Sequence, residues 1–298
     1  MSRIDLKSLS APTNGNGIMK TAIYYGFIGV FSYLLFYADH LAVIILLQAV
    51  IGLFLAHGLE LQHEALHDIL FKNKFSNYFF GVLFGLFHGV SYTHYQRQHL
   101  FHHRYLGTDE DEEIFDYDAK SLDNIFTFMV RALNLARIPS LFTSLFKFLS
   151  GNFPKSVTEK ADKQKLIFEY TLIISCFLGA IAYTIITGDL ILVKMWLIPW
   201  LVFGELFHFL IELPEHLHCR KDLDDVFKNT RTIHTKNPFL LWLVNGNNYH
   251  VEHHLYPKIL IKNLKVVNKK ISDKIEFSEK NYRSTYAKIF KQVISKSK

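Results

Sequence analysis

Four apolar stretches, arranged as two closely spaced pairs, limit this chain more than any other feature. They cover about residues 21–37, 41–59, 166–187 and 191–213, and the second continues as helix toward Asp68. A helix needs about 20 apolar residues to cross a bilayer. Within hydrocarbon each backbone N–H and C=O must be satisfied inside the segment, so such stretches are helices. Only Ala38-Asp39-His40 separates the first pair, and little more than Gly188-Asp189 separates the second. The expected fold class is all-α: a polytopic membrane protein with four transmembrane helices in two hairpins and a cytosolic helical cap that holds a histidine cluster.

Composition supports this reading. The chain is 50% hydrophobic and only 20% charged, where soluble domains run nearer ~25% charged. A net charge of +6 in such a chain reflects topology and anionic headgroups rather than nucleic acid. No Lys or Arg occurs between Thr21 and His63, or between Leu166 and Val193. By the positive-inside rule both termini and the long central segment are cytoplasmic, on the inner membrane if the chain is bacterial. Lys194 is the one basic residue near an outer loop, where it can snorkel. Cys176 and Cys219 are too few for a disulfide framework and read as reduced thiols.

The remaining segments fit around one membrane unit spanning residues 1–298. Residues 1–19 are a polar N-terminal segment without signal-peptide features. The apolar run 78–90 is too short to cross and return, and reads as re-entrant or interfacial. Residues 121–150 alternate apolar clusters with Arg131, Arg137 and Lys147. They suit amphipathic helices on the inner leaflet or an ordinary cytosolic layer. Residues 263–298 form a basic tail, read as a helical cap or a partly disordered segment. There is no Gly-rich phosphate loop and no nucleotide-binding fingerprint.

The chemistry lies in three histidine clusters: His63 with His67, His99 with His102 and His103, and His250 with His253 and His254. On a helix, positions i, i+3 and i+4 share a face, so each cluster aims its imidazoles at one point. Imidazole ligates several transition metals. Eight convergent histidines exceed the needs of one ion and suit two with about four nitrogens each. In the fourth apolar stretch Glu205, His208, Glu212 and His216 follow 3-4-4 spacing on one face, and ionisable groups in a membrane mark functional paths. His216 is the ninth candidate ligand. Glu212, one turn earlier, is read as a ligand, a water holder or a partner of a histidine. Glu205 and His208 either join the site or satisfy each other. The acidic run from Asp109 to Glu113 reads as a solvated loop.

These boxes, in this order and with long apolar stretches between them, resemble the membrane fatty acid desaturase and hydroxylase family over residues 20–260. Glu212-Leu-Pro-Glu-His216, Asn229-Thr-Arg231-Thr and Asn247-Asn-Tyr-His-Val-Glu-His-His-Leu-Tyr-Pro257 look most like its bacterial acyl-lipid desaturases. The resemblance implies two non-haem irons held by His63, His67, His99, His102, His103, His216, His250, His253 and His254. It also implies an apolar acyl tunnel and a separate ferredoxin- or cytochrome-type electron donor. Glu212, His208, Asn247 and Arg231 are supporting candidates. Arg231 reads either as a brace for the third cluster or as part of a surface loop. Asn247 and Asn248 read as hydrogen-bond partners of the site or as helix caps. Glu212 stands where the stearoyl-CoA branch has Asn.

The expected activity is O2-dependent insertion of a double bond into a fatty-acyl chain. The nearest alternative is a lipid or carotenoid hydroxylase or ketolase using the same site. A remote one is an intramembrane zinc protease, because His63-Glu64-Ala-Leu-His67 is literally HExxH, with Glu64 as general base. A metal transporter would need ligands across the whole bilayer, whereas here they crowd the inner ends of the spans.

Overall fold

The computed structural model describes residues 3–111, 122, 124–221 and 225–296. Helices dominate it. In chain order they are α1 (Arg3–Leu9), α2 (Asn14–Tyr37), α3 (Leu41–Leu66), α4 (Lys74–Leu86), α5 (Tyr92–Tyr105), α6 (Ile125–Ala132), α7 (Arg137–Leu149) and α8 (Lys160–Thr187). A wide-turned π segment, Val193–Leu197 and Pro199–Gly204, leads into α9 (Glu205–His216). Then follow α10 (Val226–Asn229), α11 (Pro238–Leu243), α12 (His250–Leu255), α13 (Leu264–Ile271) and α14 (Tyr282–Lys296). Two three-residue strands, β1 (Arg231–Ile233) and β2 (Phe277–Glu279), pair in parallel, with Arg231 opposite Phe277.

Four helical stretches are long and apolar enough to cross a membrane, ending at Tyr37, Leu66, Thr187 and His216. They are those expected from hydropathy, so the chain is an all-α polytopic membrane protein. At 26 residues, α3 is about 39 Å long against a hydrocarbon core of ~30 Å. Its C-terminal turns therefore have length left over to carry His63 out of the apolar layer. By contrast α4 has 13 residues, about 20 Å, and falls short of a crossing, as the run 78–90 suggested. In the segment 121–150, α6 and α7 meet at a bend of 55°.

The chain turns sharply between α8 and the π segment, yet the fourth span makes its tightest packing against α3. A Cβ on Gly52 would lie 2.4 Å from Phe203 Cβ and 2.7 Å from the Pro199 carbonyl oxygen, so only glycine permits this approach. Pro199 lacks an amide N–H, which breaks the regular helical ladder where the wide turns occur. Lys194 donates to the Ala38 carbonyl at 2.8 Å, satisfying an orphan carbonyl at the end of α2. The basic tail is folded. Val267 on α13 is buried against Tyr249 and Ile259, and Ile289 and Val293 on α14 pack against Phe128, Phe209 and Leu213.

Candidate metal centre

All nine histidines meet near the C-terminal ends of α3 and α9. Helix periodicity brings His63 and His67 together at the end of α3, and His99 and His103 one turn apart on α5. The ring nitrogens of these four and of His253 lie within 4.8 Å of one another. A second group joins His102, His216 and His254, and His250 joins it through His216 and Glu215. The groups abut: the His103 and His254 rings stack at 4.1 Å between centroids.

The spacing fits metal ligation. His63 and His99 Nε2 atoms are 2.8 Å apart, and those of His103 and His253 are 3.1 Å apart. In the second group His216 Nε2 lies 3.0 Å from that of His250 and 3.3 Å from that of His102. Two nitrogens each about 2.0–2.1 Å from one ion, at octahedral to tetrahedral angles, are about 2.9–3.4 Å apart. His67 is fully buried with neither ring nitrogen hydrogen-bonded, a costly state for an imidazole without a ligand. Burial first, and then the neighbouring imidazoles, push His67, His253 and His254 well below the ordinary imidazole pKa. Neutral rings keep the lone pairs that metals need.

Much of the polar structure around the site orients these rings. His102 Nδ1 donates to Asp111 at 2.9 Å, His216 Nδ1 to the Asn229 carbonyl at 3.0 Å, and His250 Nδ1 to Asn247 Oδ1 at 3.0 Å. Each bond leaves Nε2 facing the centre. Within the acidic run, Asp109 and Glu110 are exposed as a solvated loop requires, whereas Asp111 is 2% exposed and partners a histidine. Glu112 and Glu113 lie outside the described residues.

Two other anchors were not singled out by the sequence, one of them inside the Glu212-Leu-Pro-Glu-His216 motif. Glu169, a buried carboxylate on α8, accepts from Ser91 Oγ at 2.6 Å, Thr93 N at 2.9 Å and Thr93 Oγ1 at 2.6 Å. It therefore fixes the N-terminus of the helix that carries the second cluster, where the helix dipole favours an anion. A charged residue in an apolar span was the available signal. Glu215, next to His216, accepts from Asn247 at 2.6 Å and lies 3.2 Å from His250 Nε2. It, rather than Glu212, stands among the potential ligands.

Glu212 instead pairs with His208 at 2.9 Å and faces the cavity. Glu205 does not pair with His208 in turn. Arg137 grips it at 2.7 and 3.1 Å, joined by Asn134 at 2.9 Å and the Trp200 indole at 3.1 Å.

The segment 229–232 is no surface loop. Asn229, Thr230 and Thr232 are fully buried, and Arg231 is nearly so. Arg231 donates to the Pro214 carbonyl and, at 2.7 Å, to that of Leu217. It thus braces the end of α9 and His216 rather than the third cluster. That cluster is held by Glu252, which accepts from Thr232 at 2.7 Å and Asn268 at 2.6 Å. Asn247 is a direct partner of the site, as above, and Asn248 donates to the Ile233 carbonyl at 2.8 Å. Glu64, the would-be base of an HExxH protease, accepts from Lys20 at 2.6 Å and Asn245 at 2.9 Å. It is absent from both histidine groups.

Beside the centre lies a cavity of about 360 Å³, reached by His63 and His99 of one group and His102, His216 and His250 of the other. Leu59, Val90, Leu141 and Tyr170 supply apolar wall.

Comparison with known proteins follows the same lines. A search of curated proteins finds no significant match. A family model described as fatty acid desaturase matches residues 21–286, which take in all three histidine clusters and all four spans. The chain belongs to the fatty acid desaturase family.

Proposed function

We propose that this protein introduces a double bond into a fatty-acyl chain, using two irons held by the nine histidines. Family membership supports an oxidoreductase of the desaturase or hydroxylase type. The observation that carries the finer reading is the pairing of two adjacent imidazole groups beside one cavity. When bound, the irons supply reductive activation of O2 to an oxidant strong enough for an unactivated C–H bond.

The protein's own part is position and exclusion. In this reading His63, His67, His99, His103 and His253 hold one ion, and His102, His216, His250 and His254 hold the other. Glu215 is an added oxygen donor on the second. Leu59, Val90, Leu141 and Tyr170 hold an acyl methylene against the centre, where fixed geometry replaces a bimolecular encounter. Loss of two neighbouring hydrogens gives an alkene, and two donor electrons with two protons complete the reduction of O2 to two waters. Capture of oxygen at one carbon instead gives an alcohol.

The donor is a separate ferredoxin- or cytochrome-type protein, and the basic cytosolic face suits an acidic partner. The distribution of Lys and Arg puts both termini and the centre on the cytoplasmic side of a multi-pass protein.

Expression in a host lacking the activity, with total lipids analysed for new double bonds and new hydroxyls, tests the reading. New alkenes in the acyl chains support it. Unchanged acyl profiles alongside oxygenated carotenoids reject it.

A further inference from the structure

A second recess, of about 320 Å³, lies away from the metal cavity. Lys20, His57, Trp242, Tyr249, Lys262 and Lys265 are among its lining residues, which include three lysines and no carboxylate. The lysines come from separate parts of the chain. Lys20 is on α2, Lys262 on the short turn before α13, and Lys265 on α13 itself. Lys20 is fixed at the inner wall by Glu64 at 2.6 Å and Asn245 at 2.7 Å. Glu64 offsets that one charge. Lys262 and Lys265 are exposed and have no acidic partner among the described residues, so the recess is net cationic. Its floor is aromatic: the Trp242 ring packs on His57 at 4.1 Å.

Depth points to the ligand. Lys20 is the last basic residue before a stretch free of Lys and Arg that runs past the end of α3. It therefore marks the boundary between headgroups and hydrocarbon. Beside it, α11 reads Pro-Phe-Leu-Leu-Trp-Leu, with Phe239 51% exposed, the composition of an interfacial aromatic anchor. A cationic recess at this depth, with an apolar side, matches a phosphate ester attached to an acyl chain. We propose that it binds the phosphate of an acyl-bearing amphiphile, with Lys262 and Lys265 as the free cations and Lys20 as the fixed one. The inference concerns binding and stands apart from the reaction assigned above.

The test uses the full chain in a non-ionic detergent. Dihexanoylphosphatidylglycerol and phosphate-free dihexanoylglycerol are titrated by calorimetry against the unaltered protein, the double variant Lys262→Gln with Lys265→Gln, and the double variant Lys262→Arg with Lys265→Arg. Affinity for the phospholipid should fall about tenfold or more in the glutamine variant and persist in the arginine variant. Metal content should be the same in all three. Competition by free coenzyme A would identify a phosphate site shared with thioester carriers, and failure to compete would assign it to glycerolipid phosphate. Equal phospholipid affinity in the glutamine variant, or equal affinity for both lipids, would overturn the proposal. Neither result bears on whether alkenes are made.

Discussion

In the group of five imidazoles, His63, His67, His103 and His253 have Nδ1 atoms without a hydrogen-bond partner. In the other group, His102, His216 and His250 each have Nδ1 tied to Asp111, Asn229 or Asn247. The first group is thus positioned by the helices themselves, with two pairs one turn apart on α3 and α5. The second draws on three helices, α5, α9 and α12. His250 and His254 are one turn apart on α12, and His254 Nδ1 has no hydrogen-bond partner. The other three rings are each fixed by a polar contact from a segment outside their own helix. One centre should therefore be sensitive to packing, and the other to hydrogen bonding.

The largest effect should come from removing ligands. His67→Ala and His250→Ala are each expected to reduce alkene formation to background, since the reaction as proposed needs both ions. Iron counted by mass spectrometry on the purified chains should fall by about half in each variant. Unchanged iron in either would break the division into two groups.

Removing a ring partner should come next. Asp111→Asn keeps the size but weakens the acceptor for His102, and is expected to lower metal affinity at the second group by about 10–100-fold. Chelator titration followed by metal analysis should show one ion leaving early and one late. Simultaneous loss would mean the groups do not bind independently.

Packing should act differently. Gly52→Val forces α3 away from Phe203 and Pro199 and is expected to cost about 1–3 kcal/mol of stability, read as an earlier thermal transition in detergent. Iron should be retained by the fraction that folds.

The smallest effect is expected at Glu212. Because its carboxylate pairs with His208 and stands outside both groups, Glu212→Gln should leave iron content unchanged and reduce turnover less than tenfold. Loss of iron would restore Glu212 as a ligand in place of Glu215.

How much of this was legible in the sequence depended on whether a feature repeats locally. Hydropathy marked the four spans, and i, i+3, i+4 spacing marked His63, His67, His99, His102 and His103, because both are periodicities of one helix. The stripe on α9 was right as geometry and singled out His216. It left the partners open: Glu212 pairs with His208 along the stripe, but Glu205 is taken by Arg137 from α7, and a helix's own spacing carries no information about a neighbouring helix. Asp111, Glu169 and the brace by Arg231 lay deeper for the same reason. Each acts across 9 to 78 residues of chain, and one acid within an acidic run, such as Asp111, looks solvated until the fold buries it. Gly52 gave no signal, since only the opposing backbone shows why a side chain is excluded.

X-ray absorption at the iron edge on the purified, metal-loaded protein addresses the centre most directly. Two irons per chain, each in a shell dominated by imidazole nitrogen with a nearby iron scatterer, is the expected result. A single ion per chain, or two irons without mutual scattering and with mostly oxygen neighbours, would contradict the account.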